Sequence, residues 1–273
     1  MTYASLMAHL DVCHTNAAVL NAVKTLAAQF DSKVIGIAAC QPVQIVGSDG
    51  YIAGSAMVAC DDESEREMRE AEATFRASFS SSGRAVEWRA GVTDLALSEF
   101  IARQSRSADL VVTCVRPAVA FEHAEHVNIG DMIMRMGRPA LIVPDHRAAR
   151  FDRIVIAWKD SREARRAASD ALPLFKRADY VCVVEIATQA ELENATSRVH
   201  DVAAWLLTHG VKAIPSARPS KGSASDQLEA ILAEHKADLV VAGAYGHSRL
   251  REWAFGGVTD YLLCGSQLAF LSH

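Results

Sequence analysis

The chain has 273 residues, of which 50% are hydrophobic and 22% are charged, and its net charge is −5. This length and apolar content suffice for one large domain or two ordinary domains with a sizeable core. The acidic balance, without a block of lysine and arginine, argues against nucleic acid as a partner. No apolar run approaches the length of a membrane span, and the start of the chain lacks the features of a signal peptide. We therefore expect a cytoplasmic protein with no membrane partner.

The cysteines are scattered and form no Cys-x-x-Cys motif. They stand at Cys13, Cys40, Cys60, Cys114, Cys182 and Cys264. Their spacing indicates neither a metal site nor a disulfide framework, so reduced thiols in the core are expected.

Apolar runs and helical periodicities alternate along the first half of the chain. The runs predict strands near residues 5–10, 33–39, 85–90, 109–114 and 140–143. The periodic stretches predict helices near residues 14–29, 62–79, 94–105 and 130–136. Residues 41–60, which include Gly47, Gly50 and Gly54, interrupt this alternation. A mobile surface excursion and a functional lid are both open interpretations of this insertion.

The second half repeats the alternation. Strands are predicted near residues 153–158, 179–186, 211–216, 238–243 and 268–271. Helices are predicted near residues 161–175, 189–209, 224–235 and 257–264. Such an order is typical of a parallel sheet covered by helices on both faces, with ligands beyond the carboxyl ends of the strands.

Internal sequence similarity divides the chain into two units. Residues 107–112, SADLVV, recur as residues 236–241, KADLVV, and residues 136–143 recur loosely as 264–271. We predict a first domain at residues 1–146 and a second at residues 151–273. The fold class is then α/β, with two tandem, doubly wound, five-stranded and mainly parallel sandwich domains.

A glycine-rich loop follows the predicted strand at residues 238–243. Gly243 and Gly246 begin this loop, and Gly256 and Gly257 lead into the last predicted helix. Glycines let the backbone approach a ligand closely, and the amides at a helix N-terminus bind anions. This pattern predicts a phosphate site built from main chain, without a catalytic side chain.

At Gly243, Gly246 and Gly256 the sequence resembles the universal stress protein family. Nucleotide-binding members of that family carry Gly-x-x-Gly, nine residues, and then Gly before Ser or Thr, whereas Gly257 and then Val258 precede Thr259 here. The resemblance covers nearly the whole chain and is strongest from Asp152 to His273. It implies an adenine nucleotide α-hydrolase-like fold, ATP with Mg²⁺ as ligand, and a cytoplasmic stress-response sensor or regulator with a regulatory protein partner.

The resemblance also implies a ligand site in the second domain only. Its expected residues are Ala157, Lys159, Gly243, Gly246, His247, Arg249, Gly256, Gly257, Val258 and Thr259. Lys159 stands where the family has Asp, and it is either a phosphate ligand or a solvated turn residue. Ser161 is expected to cap the helix that follows. No nucleophile and base pair is visible, so an enzyme is not expected beyond slow ATP hydrolysis.

The first half departs from the family at the other end of the site. Asp11 keeps the family Asp, but residues 114–117, CVRP, replace Gly-x-x-Gly, and only Gly130 remains downstream. Because Pro117 has no amide hydrogen, we expect no triphosphate here. Residues 121–126, FEHAEH, have the residue types of a metal site, but no further ligand accompanies them, and a solvated loop is the preferred interpretation.

Two other hypotheses compete with nucleotide binding. A protein-interaction module of the same fold is favoured by Lys159 and by the degenerate first half. An enzyme from the wider group of nucleotide-binding α/β folds has only fold analogy behind it. In every case we predict an intramolecular pseudo-dimer through residues 139–144 and 267–273, because an exposed apolar edge strand needs a partner. Whether tandem chains also form a homodimer stays open.

Overall fold

Strands and helices alternate through both halves of the protein in a computed structural model, which describes residues 2–12, 14–42, 54–115, 127–145, 148–246, 257–263 and 266–273. In the first half the strands are β1 Ser5–His9, β2 Lys33–Cys40, β3 Val86–Val92, β4 Leu110–Cys114 and β5 Ala140–Val143. The helices are α1 Ala17–Phe30, α2 Gly54–Phe79, α3 Leu97–Gln104 and α4 Ile129–Met136.

The second half has the same alternation. Its strands are β6 Arg153–Trp158, β7 Tyr180–Ala187, β8 Ala213–Pro219, β9 Leu239–Gly243 and β10 Ala269–Ser272. Its helices are α5 Arg162–Asp170, α6 Leu172–Phe175, α7 Leu192–Thr208, α8 Ala224–Glu234 and α9 Gly257–Leu263.

The ten strands of the described residues form one sheet in the order β3-β2-β1-β4-β5-β10-β9-β6-β7-β8. All pairs within a half are parallel. Read outwards from the centre of the sheet, the strands of the two halves therefore follow the same order. The two halves also share a detail at the base of the sheet: Asp109 Oδ2 accepts from the Ser5 amide at 2.9 Å, and Asp238 Oδ2 accepts from the Arg153 amide at 3.1 Å. The α/β fold class and its duplication are confirmed.

The final strands of the halves pair as predicted. Strands β5 and β10 are antiparallel, with Phe270 opposite Leu141, and every residue of both strands is buried. Side chains add further contacts between the halves. Tyr3 Oη donates to the Asp170 carbonyl at 2.7 Å, and the Arg177 guanidinium lies 4.9 Å from the centre of the Phe30 ring. The pseudo-dimer is therefore one continuous sheet rather than two loosely touching domains.

Alternate strand residues enter two different cores because the sheet is covered on both faces. Leu6 and Ala8 pack with helices α1, α2, α5 and α7, whereas Met7 packs with helices α3, α4, α8 and α9. This burial accounts for the continuous apolar runs of the strands. No helix in the described part of the chain is long and apolar enough to cross a membrane.

Two predicted elements differ from the structure. Helix α2 begins at Gly54, so the last residues of the predicted 41–60 insertion are helical, while residues 43–53 lie outside the described residues. No glycine or proline occurs between Gly54 and Gly83, and extending a helix costs far less than starting one. The single helix predicted at 161–175 ends at Asp170 and resumes as α6, because Pro173 lacks an amide hydrogen.

Candidate functional site

Gly243 ends strand β9 and packs directly on helix α5. A Cβ atom at Gly243 would lie 2.5 Å from the Ala164 amide nitrogen and 2.6 Å from the carbonyl carbon of Glu163. Both are backbone atoms that cannot move aside. Glycine is thus required here by the packing of strand against helix, a reason separate from the ligand approach that the sequence suggested.

Gly246 closes the described part of the loop against two polar side chains of helix α5. A Cβ atom there would lie 2.9 Å from Glu163 Oε2 and 3.1 Å from Ser161 Oγ. Ser161 is the N-cap of α5 and accepts from the Ala164 amide at 3.2 Å, as predicted. The space beside Gly246 is therefore occupied by a carboxylate and a hydroxyl group.

Glu163 is the residue of this loop that sequence reasoning missed. Its side chain is only 4% exposed and accepts a hydrogen bond from Arg162. Burial alone would raise the pKa of Glu163, but hydrogen bonds from Arg162, from its own backbone amide and from Ser161 lower that pKa overall. A fixed negative charge thus lies against Gly246 at neutral pH. The sequence does show that Glu163 is an acidic residue in the first turn of a predicted helix. It does not show that this residue lies beside a glycine so far along the chain.

The other expected site residues are only partly brought together. Ala157 is half-buried on β6 and pairs in register with Ala242, so it lies beside the end of β9. Lys159 is exposed just beyond β6, and its carbonyl accepts from the Ser161 amide at 2.7 Å. No described residue lies within 4 Å of a Cβ atom added at Gly257, whereas Val258 is half-buried and Thr259 is buried. His247, Arg249 and Gly256 lie outside the described residues.

A closed ion pair lies next to Lys159 at the carboxyl end of the neighbouring strand. Glu185 is 5% exposed on β7 and pairs in register with Trp158. Arg198 Nε donates to both Glu185 oxygens at 3.1 Å, and its Nη2 donates to Oε1 at 2.6 Å. After β6, Lys159 stands where the family resemblance implies an aspartate, and the neighbouring strand β7 presents an arginine-bound carboxylate.

The corresponding region of the first half contains a buried polar pair. The strand pairing places His9 where the second half has Ala157, and Thr113 where it has Ala242. His9 Nδ1 and Thr113 Oγ1 are 2.8 Å apart, and both side chains are buried. Burial lowers the pKa of His9 to about 4, although the nearby Asp11 carboxylate acts to raise it. The imidazole is consequently neutral at neutral pH.

Tyr245 of the second half covers the glycine that the first half retains. A Cβ atom at Gly130 would lie 2.0 Å from Tyr245 Oη. Tyr245 has a φ of 58°, in the left-handed region that non-glycine residues rarely adopt, within the turn that follows β9. Gly130 lies in the first turn of α4, whose N-cap Asn128 accepts from the Asp131 amide at 2.9 Å. The phosphate position predicted to be lost in the first half is thus covered by a side chain from the other half.

Two cavities meet at Asp11. One, of about 290 Å³, lies between the halves and is lined by Asp11, His9 and Gly130 from the first half and by Tyr245 and Asp260 from the second. The other, of about 490 Å³, is a groove between α1 and α2. The amide of Asp11 donates to Asn16 Oδ1 at 2.9 Å, and this fixes the loop between the two cavities.

Metal chemistry has no support in the described residues, which contain no group of three or more His, Cys, Asp or Glu side chains able to hold an ion. The FEHAEH segment at residues 121–126 lies outside the described residues, so the predicted solvated loop stays a prediction.

Comparison with known structures covers the whole chain, whereas comparison with family sequence models covers its second half. A universal stress protein from Archaeoglobus fulgidus DSM 4304 superposes with a TM-score of 0.75 at 14% identity, covering 98% of this chain and 95% of that one. A putative universal stress protein from Pseudomonas aeruginosa UCBPP-PA14 superposes with a TM-score of 0.62 at 14% identity, covering 99% and 93%. At these identities the similarity shows the fold alone.

Sequence comparison gives the family assignment. A search of curated proteins gave no match. The sequence model of the universal stress protein family matches residues 150–268, the stretch that contains the β9 loop and helix α9. Residues 150–268 therefore match the universal stress protein family in sequence, and the first half of the chain repeats the same fold.

Proposed function

We propose that the protein binds an adenine nucleotide in its second half only and acts as a sensor or regulator in a stress response. The observation that carries this proposal is the glycine loop of a universal stress protein domain at the carboxyl end of β9, where α/β sheets hold their ligands. Ala157 and Lys159 end the adjacent strand, and Gly257 leaves its side-chain position open. Binding alone is proposed, with no catalytic step.

Phosphate would be held by main-chain amides around Gly257 and Val258, and Lys159, which directly follows β6, would supply positive charge. Arg249 and His247 belong to the same proposal on sequence grounds. Magnesium enters it only as the counter-ion of the triphosphate. The ionised Glu163 beside Gly246 opposes an anion, since like charges repel strongly where water is scarce. We therefore expect modest affinity and a preference for the magnesium complex.

Gly257 gives a sharper test of the site than Gly246. A larger residue at Gly246 would push against Glu163 and Ser161 and disturb α5, whereas a Cβ atom at Gly257 meets no described residue within 4 Å. Calorimetric titration of the intact chain with Mg-ATP should show binding that is lost in Gly257→Leu. The matched control is Ala224→Leu, which puts the same side chain at the exposed first residue of helix α8. Equal binding by Gly257→Leu and the intact protein would contradict the site.

The second candidate function is a protein-interaction module that binds no nucleotide. The observation in its favour is that the chain's own side chains occupy both glycine positions, Glu163 at Gly246 and Tyr245 at Gly130. Native mass spectrometry of the purified protein separates the two functions. Nucleotide that co-purifies, or that binds on addition, supports the first, and its absence at millimolar Mg-ATP supports the second.

A further inference from the structure

The cavity between the two halves combines an apolar wall with an acidic one. Val127, Ile129 and Leu263 supply apolar surface, and Asp11, Asp260 and Tyr245 supply polar atoms. Its volume of about 290 Å³ is at the lower end of the range for small-molecule sites. No lysine or arginine is among the described residues that line it. The cavity therefore suits a small molecule with one polar end.

Asp260 gives this cavity its negative charge. The carboxylate lies in the first turn of α9 and is half-buried, and burial raises its pKa. It makes no hydrogen bond or ion pair with the part of the chain that the structure describes. A cation that pairs with such a carboxylate stabilises it, because the ion pair offsets the cost of desolvation and supplies the missing partner. A second carboxylate, Asp11, lines the same cavity and is 3.3 Å from His14 Nδ1.

His9 is an independent indication of a ligand. Its side chain is 7% exposed and lines the cavity, and Thr113 holds its Nδ1 atom. Its other ring nitrogen, Nε2, makes no hydrogen bond to any described residue, so it is open to a ligand in the cavity that His9 lines. The fold does not demand this pair, since alanines at positions 157 and 242 fill the equivalent places in the second half.

We propose that this cavity is a binding site for a small organic cation, a monoamine with a compact apolar body. Its ammonium group pairs with Asp260 and lies near His9, and its apolar body packs on Val127 and Leu263. An anion of the same shape is excluded, because it would meet two carboxylates. This site is separate from the nucleotide site proposed for the second half, and neither depends on the other.

A pair of probes that differ in charge tests the proposal without any variant. Benzylamine and benzoate have similar size and opposite charge at neutral pH. Titrated into the full-length protein and followed by NMR, benzylamine should bind at least tenfold more tightly than benzoate and should shift the ring resonances of His9. Comparable affinity for benzoate, or unmoved His9 resonances at saturation, would overturn the proposal.

The assignment to Asp260 is tested with a matched pair of variants. Asp260→Asn should weaken benzylamine binding at least fivefold. Asp226→Asn should leave it unchanged, because Asp226 also lies in the first turn of a helix, α8, but on the exposed surface. If both variants bind benzylamine like the parent, the cation does not pair with Asp260 and the proposal is wrong.

Discussion

Single side chains distinguish corresponding positions in the two halves of this molecule. At corresponding places in the sheet, the first half has His9 and Thr113 and the second has Ala157 and Ala242. One strand end has Asp11 and the other Lys159. A glycine leaves room for a ligand, but here Glu163 occupies that room beside Gly246 and Tyr245 occupies it beside Gly130. Two copies of one fold thus present sites of opposite character, one rich in acceptors and the other cationic at Lys159.

The buried His9 predicts a pH dependence of stability. Its pKa in the folded state is about 4, below its ordinary value of 6.5, so the unfolded chain takes up a proton first as the pH falls. The free energy of unfolding should therefore decrease between pH 6.5 and pH 4, by on the order of 3 kcal/mol from this residue. Urea denaturation across that range measures the decrease. The variant His9→Gln should lose most of this slope, whereas His200→Gln, on the exposed face of α7, should keep it.

Glu163 predicts a gain of binding on substitution. If nucleotide phosphate lies beside Gly246, the ionised carboxylate weakens binding, and Glu163→Gln removes the charge at nearly constant shape. We expect about a fivefold increase in affinity for Mg-ATP, or roughly 1 kcal/mol. The control is Glu193→Gln, an exposed first-turn acid of α7. Unchanged or weaker binding by Glu163→Gln in calorimetry would show that phosphate does not approach Gly246.

The apolar run predicts the strand that ends at Gly243, but it does not reveal what lies beside Gly246. Gly243 and Gly246 were predicted from their place after an apolar strand, and they lie there. The contacts of Gly246 with Glu163 and of Gly130 with Tyr245 depend on how distant segments pack. Local periodicity carries no information about such contacts, so neither Glu163 nor Tyr245 was expected.

At the scale of elements, the order of strands and helices followed from the sequence because each has a strong local signal. Buried parallel strands are continuous apolar runs, and the helices between them are periodic. The differences lie where local signals compete. Pro173 divides a periodic stretch into α5 and α6, and the glycines before residue 54 concealed the true start of α2.

The contact of β9 with α5 predicts a strong effect of adding one methyl group. Gly243→Ala places a Cβ atom 2.5 Å from the Ala164 amide nitrogen, and the strand and helix must separate to accept it. We expect a loss of about 2 kcal/mol in the free energy of unfolding. Gly257→Ala, where no residue of the described ranges lies within 4 Å of the added Cβ atom, is the matched control and should change stability little. Chemical denaturation of the two variants compares them, and equal stabilities would contradict the packing role of Gly243.

The whole molecule is a two-fold repeat whose central strand pair, β5 with β10, joins the halves into one sheet. Near this junction Tyr245 and Asp260 from the second half lie against His9 and Gly130 from the first. The two halves are therefore unequal partners. The second contributes Tyr245, whose hydroxyl lies over Gly130 of the first half.

This asymmetry predicts that the chain binds at most one nucleotide. A triphosphate in the first half would displace Tyr245 from Gly130 and meet Asp11 and Asp260, with no lysine or arginine among the described residues of that cavity. The repulsion and the lost packing would exceed what nucleoside contacts could return. Equilibrium dialysis of the intact chain with Mg-ATP should saturate at one equivalent or fewer, and Gly257→Leu should abolish it. Tyr245→Ala should not create a second site, because both carboxylates remain. Two equivalents bound by the intact chain would show that the first half accepts a triphosphate despite these groups.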